Sequence, residues 1–336
     1  MNLKSKVVFA ILLAALSVGA AYAQQPIVIK FSHVVAEDTP KGKGALKFKE
    51  LAEARTKGRV KVDVYANSTL FKDGEEMQML QLGNVQMLAP SVSKFGPLGA
   101  REFEVFDLPY IFDNIKELHN VTQGRIGQQL FKKLDNKGII GLAYWDNGFK
   151  EMSANKPLRT PADFRGLKMR IQSSKVLDGQ MRALGATPQI MAFSDVYQAL
   201  QTGVVDGTEN PPSNLYTQKM NEVQKYLTMS DHGVVEYAVI VNKKFWEGLP
   251  ADIRTTLEGA MKEATTFTND IAKQQNDDAL EKVKALGKTQ IITLTPEEKK
   301  AWKKAVLKVH RDNEATIGKE LIQEIYKDTG FDPNKL

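Results

Sequence analysis

There is no cysteine among the 336 residues, and the only histidines are His33, His119, His232 and His310. The first absence excludes a disulfide framework, a thiol nucleophile and a cysteinyl metal site, so burial alone must hold the fold together. The second leaves little for a metal or a proton relay. None of the four histidines stands in a spacing such as HExxH or beside a second ligand in sequence, and His310, in a helical stretch with Trp302 and Val306, reads as a helix-surface residue. GxSxG and the phosphate-cradling P-loop pattern are also missing, and Gly42-Lys43-Gly44 reads as a local turn signal. No catalytic residue, metal or cofactor is expected. Folding can still gather distant residues, so an enzyme acting on an organic acid remains an alternative.

A strong excess of one charge is lacking too: 46 basic side chains face 40 acidic ones. With no sustained Lys/Arg block, nucleic acid is not an expected partner. Past the N-terminus no apolar run approaches the roughly 20 residues of a membrane span. At the N-terminus, Lys4 and Lys6 precede an apolar stretch over residues 7–16 and then Ala21-Tyr22-Ala23, a small-x-small site. This predicts a signal peptide over residues 1–23, cleaved after Ala23, and an exported chain long enough for two domains.

The remaining chain alternates strands and helices. Ile27-Val28-Ile29-Lys30-Phe31 reads as a buried strand, residues 44–55 as a helix, and Val60, Val62 and Val64 as one face of a half-buried strand. Asp73 is placed to cap a helix running to Leu82, and residues 85–89 return as a strand. A second series starts near Ile139, continues through Leu167 to Ile171, and includes a helix opened by Ser194 and stopped before Gly203. Strand–helix–strand order implies α/β architecture with mostly parallel sheets flanked by helices. After Pro250, apolar residues recur at Ile253, Leu257, Ala260, Ala264, Phe267 and Ile271, then at Leu280, Val283 and Leu286. One helix over about 250–286 would be near 50 Å long, more than one small lobe can bury; a break at Gln275-Asn276-Asp277-Asp278 is the competing reading. No stripe is left over for dimerisation, so a monomer is expected.

Two motifs carry chemistry. Gly166-Leu167-Lys168-Met169-Arg170 ends a strand-like run on a guanidinium, and Asp206-Gly207-Thr208-Glu209-Asn210-Pro211 sets an amide on a tight turn. Together they read as a clamp for a small organic acid, since the arginine fork matches a carboxylate bidentately and cannot lose its charge.

These stretches, with Phe31-Ser32-His33, Phe106-Asp107-Leu108-Pro109-Tyr110 and residues 192–201, make the chain from about Ile27 to Phe331 similar to the solute-binding proteins of tripartite ATP-independent periplasmic (TRAP) transporters, of the C4-dicarboxylate-binding DctP type. The resemblance implies a two-lobed, periplasmic-binding-protein-like fold bridged by crossing strands and one long helix. The expected division is 24–147 plus 236–275 for the first lobe and 148–235 plus 276–336 for the second. It also implies a periplasmic location, a small organic acid as ligand, and a permease with small and large membrane subunits as partner. Carried onto this chain, the family's carboxylate-pairing arginine is Arg170 and its clamp asparagine is Asn210. A second cationic contact, arginine in sialic acid-binding relatives, falls on Lys150, where lysine keeps the charge and loses the fork. From the first lobe, Ser91 and Lys94 are placed to hold the far end of the ligand, with His33 and Asp73 in neighbouring loops. Three cations, Arg170, Lys150 and Lys94, favour a diacid such as succinate, malate or fumarate; a sugar acid, keto acid or aromatic acid would also suit the arginine. A sensor that presents its closed form to a receptor is a further alternative.

Overall fold

A computed structural model describes residues 25–335; the expected signal peptide lies outside them. The chain builds two sheets. The first has the order β2-β1-β3-β10-β4, from Ile27–Ser32 (β1), Val60–Tyr65 (β2), Met87–Leu88 (β3), Ile139–Phe149 (β4) and Val234–Asn242 (β10). The second has the order β11-β9-β5-β8-β6-β7, from Glu151–Ala154 (β5), Lys168–Ile171 (β6), Thr187–Ile190 (β7), Gly207–Asn210 (β8), Tyr226–Met229 (β9) and Gln290–Thr293 (β11). Helices cover both, giving the two-lobed α/β fold.

Both sheets are mixed, and each antiparallel pair involves a strand beside a crossing: β10 against β3 and β4, and β5 against β8 and β9. The chain crosses between sheets at Lys150, which separates β4 from β5, and returns between β9 and β10. The two crossings run side by side, with the Lys150 N–H donating to the Gly233 carbonyl at 2.8 Å.

The long helix forms over Ala251–Leu286 and runs unbroken through Gln275-Asn276-Asp277-Asp278. Ile253, Leu257, Ala260, Ala264, Thr268, Ala272, Ala279 and Val283 make its buried stripe, and Gly287, in the left-handed region, ends it. Its N-terminal half packs with Phe31, Phe48 and Trp145 of the first sheet's core, whereas Val283 packs with Val205 and Leu227 of the second. Asn276 marks the changeover, donating to the Asn147 carbonyl at 2.5 Å and accepting from the Ser213 N–H at 2.9 Å. Gly148 has φ +142°, and a Cβ there would run into the Asn276 amide, so the crossing strand needs glycine where it meets the helix.

Several local expectations are corrected. The first helix begins earlier, at Pro40, with Thr39 accepting from the Gly42 N–H. Gly42-Lys43-Gly44 is therefore no turn but part of a helix, and Gly44 lets it lie against Thr268, whose hydroxyl a Cβ would strike. The helix after Asp73 spans only Glu76–Gln81 and has no side-chain cap. Ser194 does not cap either: a 3₁₀ turn over Phe193–Asp195 leads into the helix Val196–Gln201. His310 is buried rather than on the helix surface. Its Nδ1 lies 2.7 Å from the Tyr326 hydroxyl and its Nε2 2.8 Å from the Pro109 carbonyl, while Phe331 stacks on the ring. A carbonyl can only accept, so Nε2 carries the hydrogen and Nδ1 accepts from the phenol. This ring ties the C-terminal helices to Pro109 in the segment 101–122. Its period-matched neighbours Trp302 and Val306 are also inward, and face rather than residue type decides burial.

Candidate functional site

Arg170 projects from β6, which lies between β7 and β8 in the second sheet. Its Nε and Nη2 donate to the Met191 carbonyl at 3.1 and 2.8 Å, and Phe193 lies 5.7 Å from the guanidinium carbon. One edge of the fork is thereby anchored to the backbone, leaving its Nη1 end for a ligand. The side chain is 3 % exposed. Burial pulls its pKa down and the charges of Asp73 and Glu209 pull it up, so the guanidinium stays charged in a water-poor setting.

Arg170 lines a small cavity with Gln172, Phe193, Asn210 and Asn214 from the second lobe. Val34, Val35, Asp73, Ser91, Lys94 and Tyr237 come from the first, and Val235 from the start of β10, where the chain returns to it. Val34, Val35, Ser91 and Lys94 follow the carboxyl ends of β1 and β3, where ligands gather in open α/β sheets. Two wider grooves follow the long helix, but neither is lined by an arginine.

Five of the seven expected site residues meet at this wall: Arg170, Asn210, Ser91, Lys94 and Asp73. Asn210 ends β8, and its Nδ2 has only long contacts, 3.4 Å to Thr208 Oγ1 and 3.7 Å to Met220 Sδ, so its donor capacity is poorly spent. Ser91 directs its hydroxyl to Ser93 at 3.1 Å, which passes the chain on to Asp107 at 2.7 Å.

Lys94 reaches the wall already paired. It donates to Glu76 at 2.9 Å and forms an ion pair with Asp73. Burial opposes its charge, but the two carboxylates outweigh that and raise its pKa. Asp73 is not a helix cap: it also accepts the Phe193 N–H at 2.5 Å, across the cleft. Burial would raise its pKa, yet Lys94 and Arg170 bring it down to about 2. Glu76 is pushed up by its own burial.

Two expected residues are placed elsewhere. Lys150 is 1 % exposed and donates to Glu209 Oε1 at 2.8 Å, away from the cavity wall. Glu209 in turn lies 2.7 Å from His232 Nε2, and His232 Nδ1 2.8 Å from the Ser230 hydroxyl. Despite burial, Lys150 and His232 hold Glu209 down at about 2. The sequence expectation that Lys150 meets the ligand is therefore replaced by a sealed ion pair at the lobe crossing. His33 is also behind the wall, 1 % exposed, with both ring nitrogens unpartnered; burial and then Lys41 lower its pKa to about 3, so it is neutral.

Sequence reasoning missed Lys41, Asn214 and Tyr237. Lys41 is fully buried, donates to the Ala89 carbonyl at 2.9 Å and sits 3.6 Å over the Tyr237 ring. A lysine in the first turn of a helix opposes the dipole, which was the one signal that it serves another purpose. Tyr237 stood in an apolar run, where a buried phenol demands a partner.

The cleft is shut by direct contacts. Besides Asp73 to Phe193, Lys72 pairs with Asp195 at 2.9 Å and Gln218 donates to Asn67 at 3.2 Å.

Residues 31–316 match the family of bacterial extracellular solute-binding proteins, family 7 (DctP). The chain is 64 % identical over 311 residues, 93 % of either chain, to the C4-dicarboxylate-binding periplasmic protein DctP of Rhodobacter capsulatus. A TRAP periplasmic solute-binding protein of Shewanella oneidensis with bound succinate superposes with a TM-score of 0.89 at 42 % identity, covering 90 % of this chain and 99 % of that one. Another, from Pseudomonas aeruginosa PAO1 with bound L-malate, gives 0.83 at 45 % identity, with 85 % and 100 % covered.

Proposed function

The chain belongs to the DctP family, the solute-binding proteins of TRAP transporters, and from that premise we propose that it captures a C4-dicarboxylate around Arg170 and delivers it to a membrane permease. One observation carries the reading: a guanidinium 3 % exposed faces a small cavity walled by both lobes, with its carboxylate-matching end unspent. The relatives known to bind succinate and malate support the diacid over other acids. Lys94 on the opposite wall keeps its charge, and burial moves Glu76 toward its neutral form. With Asp73 ionised beside it, the Lys94 group carries no net charge, so a second anionic group of the ligand meets a donor without an excess of carboxylates.

No chemical step is involved. The lobes, residues 24–147 with 236–275 and 148–235 with 276–336, turn about the paired crossings at Lys150 and Gly233. Ligand contacts to both walls exist only when the cleft is shut, so ligand selects that state. The closed form docks on the small and large permease subunits in the membrane. On this reading the chain is exported to the periplasm and cut after Ala23.

Thermal unfolding of refolded, ligand-free protein against succinate, malate, fumarate, glucuronate, pyruvate and benzoate tests the proposal. At 100 times Kd a ligand stabilises by about 2.7 kcal/mol, a rise of a few degrees in Tm. A rise confined to four-carbon diacids supports the reading; a rise with glucuronate or benzoate alone overturns the choice of ligand.

A further inference from the structure

The cavity wall contains an unanswered hydrogen-bond acceptor. Asn214 lies in the first turn of the helix Pro212–Thr217 and is 3 % exposed, and its Oδ1 has no partner among the described residues. Its Nδ2 donates to the Tyr237 hydroxyl at 3.3 Å. The same hydroxyl accepts from Asn147 Nδ2 at 3.0 Å, and Asn147 Oδ1 accepts from the Ser213 hydroxyl at 3.0 Å. Both lone pairs of the phenol oxygen are then occupied, and its hydrogen is left for the cavity that Tyr237 lines.

Where the two walls meet, adjoining points therefore offer one donor, the Tyr237 O–H, and one acceptor, Asn214 Oδ1. A hydroxyl group both accepts and donates, and answers the pair. A carboxylate oxygen answers the donor but not the acceptor, and a methylene answers neither; a buried polar group left unpaired is what a polar site discriminates against. We propose that Asn214 and Tyr237 form a subsite for a hydroxyl on the ligand, so that the cavity prefers a 2-hydroxy C4-diacid to its unsubstituted counterpart. This rests on the dicarboxylate reading above.

The arrangement also sets the size of the preference. The Asn214 amide can turn over, taking the Tyr237 hydrogen on Oδ1 and presenting Nδ2 to a carboxylate. Asn147 can do likewise, because the Ser213 hydroxyl accepts as well as donates. The unsubstituted diacid thus has a route to a satisfied wall, and discrimination is about tenfold, the net worth of one hydrogen bond, rather than the much larger rejection of a rigid polar site.

Calorimetric titration of the refolded chain with (S)-malate and with succinate tests this. Malate binds the wild-type protein about tenfold more tightly, the discrimination expected above. In Asn214→Leu, which keeps bulk and removes both polar atoms, the ratio falls to within about twofold. Tyr237→Phe keeps the ring and removes only the hydroxyl, and it narrows the ratio likewise; it decides the matter if Asn214→Leu fails to fold by its thermal transition. Equal wild-type affinities, or a ratio unchanged in the variants, overturn the subsite while leaving the dicarboxylate reading intact. If neither diacid binds the wild-type protein, that reading falls and the subsite with it.

Discussion

The Asp73 carboxylate, in the first lobe, accepts the backbone N–H of Phe193, in the second, while pairing with Lys94. One side chain thereby closes the cleft and sets the charge of its wall. Its two functions are separable by substitution. Asp73→Asn keeps an acceptor for Phe193 and removes the negative charge; Asp73→Ala removes both. Diacid affinity is expected to be at least about tenfold weaker in the alanine variant than in the asparagine variant, the worth of a hydrogen bond near 1.4 kcal/mol. Titration calorimetry on both variants checks it, and equal affinities would mean that the contact with Phe193 contributes nothing to closure.

Arg170→Ala should fold, because among the described residues its side chain hydrogen-bonds to one carbonyl alone, yet bind diacids more weakly by about 3–5 kcal/mol, since a buried carboxylate loses its counter-charge. Arg170→Lys should recover only part of this, a point charge replacing a planar end. Unchanged affinity in Arg170→Ala would sink the assignment of this side chain.

Lys150 separates a ligand contact from a structural one. Lys150→Met leaves Glu209 buried with His232 alone, and a loss of about 3–5 kcal/mol in folding stability is expected. Denaturant unfolding measures it. Were Lys150 a ligand residue instead, stability would barely move and diacid affinity would collapse.

Acidification should weaken the fold in two windows. His310, neutral between Tyr326 and Pro109, has its pKa lowered by burial to about 4. The unfolded chain takes up a proton near its ordinary value of 6.5 and the folded one does not. Stability is therefore lost as pH falls from about 6.5 to about 4, at up to about 1.4 kcal/mol per unit for this group. Asp73 and Glu209 have the same sign in a lower window, their folded values of about 2 lying below their ordinary ones. Their contribution is complete above about pH 4.5 and is lost from there down to about 2. Thermal midpoints across pH, for wild type and His310→Gln, check the first window: the variant's slope between 6.5 and 4 should be shallower.

The residues legible in the sequence were those whose meaning is local. Arg170 and Asn210 stand in motifs that fix both strand and turn, and both line the cavity. The long helix announced itself by the 3.6 period of its buried stripe. Partner choice was not legible. Glu209 meets Lys150 across 59 positions, and His310 meets Pro109 across 201. Nothing in the local pattern distinguishes such a lysine from a ligand contact, or such a histidine from a surface one. Asp73 failed for a related reason: a carboxylate before a helix satisfies the cap pattern, but a charged lysine and an unpaired N–H across the cleft compete for it and win.

The unbroken helix Ala251–Leu286 has a kinematic consequence. At about 1.5 Å per residue it is a shaft some 54 Å long whose ends cannot approach each other without breaking backbone hydrogen bonds. The lobes can roll about that shaft but cannot telescope along it. On the two-lobe reading proposed above, an opening that leaves the helix intact would be read at the rim, where Lys72 faces Asp195 and Asn67 faces Gln218. A pair of labels on the shaft is a fixed ruler against which the swing of the rim can be read.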